Sequence, residues 1–229
     1  MSAPRDRRLI VLAVFALIAV GIVAAVLIGR SGGDDGETAA SGGAAGCESA
    51  EPPEPKTVSL EAPPQTVRRG EPLTAVVETT CGTFEIALDT QRAPKTTNSF
   101  AYLADQGVYD GLRFHRISSD PQFGVIQGGD PKGDGTGGPG YTVDERPPAN
   151  LAYTKGVVAM AKTSAEPPGR SGSQFFVVTS PDLGLPPAYA LVGKVTEGLD
   201  VVERIGKLGL PSEKPKQEVL IKSIEIEEG

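Results

Sequence analysis

The chain has 229 residues, a formal net charge of −7, one His and two Cys. That inventory excludes a metal site of the usual zinc ligand set, and an acidic balance without a basic stripe in the second half argues against nucleic acid as a partner. The 29 Gly and 20 Pro demand many turns and leave helix a minor share of one substantial domain with appendages.

Residues 1–8 form a short basic N-terminus, in which Arg5, Arg7 and Arg8 precede an uncharged apolar run over residues 9–28. Twenty helical residues reach about 30 Å, the hydrocarbon thickness of a bilayer. The run is longer than the core of a cleaved signal peptide, and Gly29-Arg30-Ser31 is not an obvious cleavage site. A single-pass transmembrane helix is therefore the expectation, ahead of a cleaved signal or a soluble core helix. Asp34, Asp35 and Glu37 follow the run, so the positive-inside rule leaves the N-terminus cytoplasmic and the C-terminal domain extracytoplasmic, held at the cell membrane. Export makes a disulfide permissible, and Cys47 and Cys81 are the candidate pair; two unpaired thiols are the alternative.

Residues 29–70 read as a linker, Gly/Ala-rich at first and Pro-rich from Glu51 to Pro64, with no apolar periodicity and reach as its expected work. The folded domain is assigned to residues 71–229. Leu73–Val77 and the alternating Phe84, Ile86 and Leu88 predict two strands joined across Thr80-Cys81-Gly82. Pro94 suits a first helical turn, Phe100, Leu103 and Ala104 share a helical face, and Gly107 supplies a stop. Strand-like runs recur at Leu112–Ile117, Val125–Gln127, Gly156–Ala161, Gln174–Thr179 and Ala190–Val195. A second helix fits Leu199, Val202 and Ile205, and Leu220–Ile226 completes the strands. Short strands, two helices and glycine-rich turns predict a mainly β domain, an antiparallel barrel or sandwich.

Arg116 stands out within Phe114-His115-Arg116-Ile117, because a cation among apolar strand residues is costly without a partner. By pattern alone it reads as a structural arginine paired with a carboxylate. Gly133-Asp134-Gly135-Thr136-Gly137-Gly138 matches a dinucleotide fingerprint formally, but Pro139-Gly140-Tyr141 follows instead of a helix, so the glycines read as a loop. Gly169-Arg170-Ser171-Gly172-Ser173 lacks the second glycine of a nucleophile elbow.

From about Leu73 to Ile226 the sequence resembles the cyclophilins, a family of peptidyl-prolyl cis–trans isomerases, or rotamases. The likeness rests on Ala93-Pro94-Lys95-Thr96, on Tyr109 to Arg116, on Gln127-Gly128-Gly129-Asp130-Pro131 and on Gly137 to Tyr141. Asp144-Glu145, Gly172-Ser173-Gln174-Phe175-Phe176 and Val192-Gly193-Lys194-Val195 continue it in the same order. The resemblance implies a closed eight-stranded antiparallel barrel capped by two helices, and activity on proline-containing polypeptides without metal or cofactor. It makes Arg116 the catalytic donor to the twisted amide and gives Gln127 the positioning of substrate or arginine. Phe176, Met160 and Leu185 become the apolar floor for the proline ring. His115, Ala161, Gln174 and Tyr189 complete the expected substrate-binding set, with Phe123 or Val125 as the wall. His115 is expected to line the pocket or serve structure, since the reaction transfers no proton.

The chain also departs from the family pattern. The stretch Ser118 to Gln122 is a few residues longer, Lys162 stands where asparagine is common, and Thr163–Arg170 is extended. Tyr189 replaces a frequent histidine, and Gly184 occupies the place of a tryptophan associated with cyclosporin, so weak cyclosporin binding is expected. A tethered proline-binding module or chaperone with little isomerase activity is the alternative function.

Overall fold

A computed structural model describes residues 46–229. The predicted span at residues 9–28 lies outside the described residues, and among those described no helix is long and apolar enough to cross a membrane. Leu73–Thr79 (β1) and Gly82–Leu88 (β2) form an antiparallel hairpin. Their alternation places Ala75, Val77, Phe84 and Ile86 at 0% exposure on one face, as period-two patterning requires. Pro94–Asp105 (α1) starts at Pro94, where the missing N–H costs no helical bond, and buries Phe100, Leu103 and Ala104. Gly107 stops it in the left-handed region, φ 64°, with its N–H bonded to the carbonyl of Ala104 at 2.8 Å.

Short strands follow: Arg116–Ser118 (β3), Val125–Gly128 (β4), Val143–Asp144 (β5), Val157–Met160 (β6), Arg170–Ser171 (β7) and Phe175–Val178 (β8). Leu191–Glu197 (β9), the helix Leu199–Gly206 (α2) and Ile221–Glu228 (β10) complete the order. Eight of these strands make one antiparallel sheet in the order β10-β1-β2-β9-β6-β8-β4-β3, while β5 and β7 pair separately, a small sheet absent from the sequence expectation. Helix α1 packs on β9 and β10, and α2 on β2, β3 and β4.

The expected closed barrel is not formed; the sheet is a half-barrel. Its terminal strands β3 and β10 are not ladder neighbours. The reason is local: β3 is three residues long, and only Arg116 and Ile117 of the expected run 112–117 fall in it. The chain facing it carries Pro211 and Pro215, which have no N–H to donate to a ladder. The gap is crossed by one isolated bridge, Arg113 to Leu220, and by single bonds such as Phe114 N–H to the carbonyl of Val219 (2.9 Å) and Ile117 N–H to that of Glu213 (2.8 Å).

Strand parity divides the apolar interior. Phe175 and Val177 join the main core with Val158 and Met160, whereas Phe176 and Val178 point the other way with Val157 and Ala159. The second set, with Val125, Tyr153 and Leu191, forms a separate cluster on the outer face of the sheet.

Residues 47–70 contain no helix or strand, yet they lie along the domain. Cys47 is bonded to Cys81 in the β1–β2 turn. Glu48 N–H reaches the carbonyl of Thr80 (2.7 Å), Lys56 N–H that of Pro131 (2.8 Å) and Leu60 N–H that of Pro139 (2.8 Å). Asn98 on α1 then fastens the end of the segment. Its Oδ1 accepts from the backbone N–H of Thr66 (2.7 Å) and Val67 (2.9 Å), and its Nδ2 donates to the carbonyl of Pro64 (3.0 Å). Satisfied backbone groups and the burial of Val58, Leu60 and Val67 against the core hold this segment down, where composition alone predicted reach.

Candidate functional site

The site is assembled by register. Arg116 on β3 lies opposite Gln127 on β4, and Gln127 lies opposite Phe176 on β8. A cation, an amide and an aromatic ring, scattered over sixty residues of sequence, thus stand in a row across three strands.

Arg116 is the most heavily bonded member of the row. Its Nη1 donates to Oε1 of Gln127 (3.2 Å), while Nε and Nη2 donate to the two carboxylate oxygens of Glu213 (2.8 and 2.9 Å). The Phe123 ring lies under the guanidinium, its centroid 5.9 Å from Cζ, a cation–π contact. The relay continues from Gln127 Nε2 to Gln174 Oε1 (3.2 Å), and from Gln174 Nε2 to the carbonyls of Gly135 (3.0 Å) and Gly137 (2.9 Å). Gly137 is required there, since a Cβ would collide with the Asp130 carboxylate that accepts from the N–H groups of Lys132 and Gly135. The hydrogen bonds from Arg116 hold the Glu213 carboxyl below the usual carboxylate range.

Beside this relay lies the outer apolar cluster. Phe176 (5% exposed) and Val125 (2%) form its floor, with Phe123, Ala161, Leu185 and Tyr189 half-buried around them. Both proposed wall residues therefore belong to the cluster, with Val125 beneath and Phe123 at the accessible rim. Tyr189 meets Phe176 edge-on at 5.5 Å and Tyr153 at 5.8 Å. Tyr153 fixes it, donating from Oη to the Tyr189 carbonyl (2.7 Å) and accepting from the Tyr189 N–H (2.8 Å). Burial pushes the Tyr153 phenol up to about 12, so it stays protonated and able to donate.

One sequence candidate falls elsewhere. Met160 is not part of the apolar floor: it follows Ala159 by one residue on β6, so its side chain enters the main core, 1% exposed, opposite Phe175. His115 directly precedes Arg116 and is half-buried. Its buried Nδ1 makes no hydrogen bond, and burial lowers its pKa, with Asp130 opposing and Arg113 and Arg116 adding to the shift.

An open groove of about 670 Å³ adjoins the cluster, lined by Gln127, Gln174, Ala161 and the loop from Gly135 to Thr142. Lys162 closes one flank. Its Nζ donates to the carbonyls of Thr163 and Glu166 (both 3.0 Å) and stands 5.4 Å from the Tyr189 ring centroid. Glu213 is the partner of Arg116 that sequence reasoning did not identify. It lies 97 residues beyond Arg116, in a segment without periodicity. Among the described residues no group of three or more His, Cys, Asp or Glu is placed to hold a metal ion.

The family model for cyclophilin type peptidyl-prolyl cis-trans isomerases matches residues 74–226. The chain is 36% identical over 172 residues to probable peptidyl-prolyl cis-trans isomerase B of Mycobacterium leprae, a match covering 68% of this chain and 57% of that protein. It is 42% identical over 150 residues to peptidyl-prolyl cis-trans isomerase-like 1 of Neurospora crassa, covering 63% of this chain and 88% of that one. Its match to the Mycobacterium relative thus spans little more than half of that protein's length. The crystal structure of a Cryptosporidium parvum cyclophilin type isomerase in the presence of the dipeptide Ala-Pro superposes with a TM-score of 0.61 at 31% identity, covering 68% of this chain and 99% of that chain. With the half-barrel, its two helices and the arginine–glutamine–phenylalanine row in place, these matches establish that the chain belongs to the cyclophilin-type peptidyl-prolyl cis-trans isomerase family.

Proposed function

We propose that this chain is a peptidyl-prolyl cis–trans isomerase, in which Arg116 stabilises the twisted X–Pro amide while Phe176 and its neighbours seat the proline ring. The observation that carries the reading is the guanidinium beside the outer apolar cluster, with donors to spare. Of its five N–H groups, two engage Glu213 and one engages Gln127, leaving one on each Nη for a ligand. Rotation about a peptide bond faces a barrier of about 18–20 kcal/mol, set by amide resonance. Twisting restores a lone pair to the proline nitrogen, and a donor that meets it only in that state lowers the barrier without any covalent step. The proline ring enters the recess of Phe176, Val125, Phe123, Leu185 and Tyr189. The peptide backbone runs past Gln127, Ala161 and Gln174 into the open groove. The Cryptosporidium relative was crystallised with Ala-Pro, which supports proline-containing polypeptides as substrates. Gly184 offers no ring above Leu185, and weak cyclosporin binding belongs to the same reading.

The reading extends to place. A single-pass anchor over residues 9–28 would hold the domain outside the cell membrane, where exported chains fold. The Cys47–Cys81 disulfide supports an oxidising compartment.

The test is a protease-coupled or NMR exchange assay on an Ala-Pro peptide. Arg116→Ala is expected to lower kcat/KM by roughly 100-fold, the usual cost of a lost transition-state donor. Full activity in Arg116→Ala would refute the mechanism. An inactive wild type that still binds the peptide would make this a proline-binding module instead.

A further inference from the structure

We propose that Glu213 is a positioning residue for Arg116, clamping one edge of the guanidinium so that its free donors face the substrate amide. The inference rests on the isomerase reading above and adds a residue to it. Three observations converge on Glu213.

The first is geometry. Both carboxylate oxygens are used, on Nε and on Nη2, which is the side-on bidentate pairing of a carboxylate with the guanidinium fork. A single bond would leave the arginine free to swing about it. Two parallel bonds, with Gln127 on Nη1 and the Phe123 ring below, define the plane and rotation of the group. The second is backbone. Among the described residues Glu213 is the one non-glycine at positive φ, 60°, a conformation that disfavours an L side chain. Glycine would adopt it freely, so a glutamate there incurs strain that its carboxylate bonds to Arg116 offset. The third is anchorage. The Glu213 carbonyl accepts from the Ile117 N–H (2.8 Å), and its N–H donates to the carbonyl of Leu210 (2.8 Å). The clamp is thus fastened by its backbone to the same strand that carries Arg116.

The backbone anchors survive side-chain replacement, so variants at this position test the carboxylate rather than the loop. Glu213→Gln and Glu213→Gly are expected to lower kcat/KM on an Ala-Pro peptide by roughly 10-fold, the scale of a misaligned catalytic group. The change should fall in kcat more than in KM, because the recess that binds proline is untouched. Glu213→Gly should keep the wild-type melting temperature, since relief of the positive φ compensates for the lost ion pair. In an Arg116→Ala background the same changes should have no further effect on turnover. The Arg116 Nε–H resonance, read by NMR without turnover, should lose its downfield shift and its protection from exchange in both variants. Unchanged kcat/KM in Glu213→Gln and Glu213→Gly would overturn the proposal, as would an additive effect in the Arg116→Ala background. If the wild type shows the protected Nε–H but does not isomerise the peptide, the isomerase reading fails and the clamp stands. If it isomerises with an unprotected Nε–H, the clamp fails alone.

Discussion

Breaking the Cys47–Cys81 bond should destabilise the domain substantially while leaving its chemistry intact. The bond joins residues 34 apart. In the chain-entropy treatment, closing a loop of that length removes about 12.6 cal/mol/K from the unfolded chain, or about 3.8 kcal/mol at room temperature. The native side changes little. Glu48 stays bonded to Thr80, Lys56 and Leu60 stay on the Pro131 and Pro139 carbonyls, and Asn98 still holds Thr66 and Val67. Most of the loss should therefore arise in the unfolded state, and the site, which the bond does not touch, should keep its turnover. With an m-value of about 2 kcal/mol/M, the urea midpoint should fall by about 2 M. The assay is urea unfolding with and without reductant, repeated on a Cys47→Ala, Cys81→Ala double variant. Alanine is preferred to serine because Cys81 is 1% exposed and a hydroxyl there would be buried. Coincident midpoints with equal slopes would refute the argument. A reduced protein that is stable but inactive would show instead that the bond shapes the site.

Two further outcomes follow from the site. Tyr153→Phe removes both bonds that hold the Tyr189 backbone, which should cost about 1–3 kcal/mol and raise KM more than it lowers kcat. An unchanged KM would mean that the edge-on ring contacts alone hold Tyr189. His115 has its folded pKa lowered, chiefly by burial, so the folded state binds its proton less readily than the unfolded chain. Its contribution to stability is full above the ordinary histidine range and is lost as pH falls through that range toward the folded pKa. The urea midpoint should thus drop from about pH 7.5 to about pH 5 more steeply in wild type than in His115→Gln, and parallel slopes would contradict the assignment.

Local pattern carried much of the fold. The alternation of Phe84, Ile86 and Leu88, the proline at the start of α1 and the glycine after it are each decided within a few residues, and each is where the pattern put it. Arg116, Gln127 and Gln174 were legible as a group only through the resemblance to the cyclophilins, since pattern alone read Arg116 as structural; strand register brings them into hydrogen-bond range. What escaped depends on longer-range or finer facts. Glu213 lies in a segment between Pro211 and Pro215 whose composition reads only as loop, so nothing local points it at a guanidinium. Met160 was assigned to the wrong face because parity on a short, fully buried strand leaves no polar residue to mark inside from outside. The unclosed barrel turns on how few residues of 112–118 pair as strand, a boundary that apolar content does not set. The docking of residues 47–70 depends on an asparagine and on carbonyls far along the chain, invisible to a compositional reading of that segment.

β8 has a consequence for how this domain can vary. Its four residues read alternately into two compartments, Phe175 and Val177 into the main core and Phe176 and Val178 into the outer cluster. One strand thus acts as a party wall between tenants that share backbone and nothing else. Odd-numbered positions on it pack the main core and even-numbered ones the outer cluster, the side that the proposed function gives to the ligand. Substitutions at Phe176 and its cross-strand partner Ala159 fall on the side away from Phe175 and its partner Met160. Both even positions are themselves buried, Phe176 at 5% and Val178 at 0% exposure, so changes there cost packing in the outer cluster while sparing the main core, whereas a single deletion in β8 would exchange the two compartments and lose both.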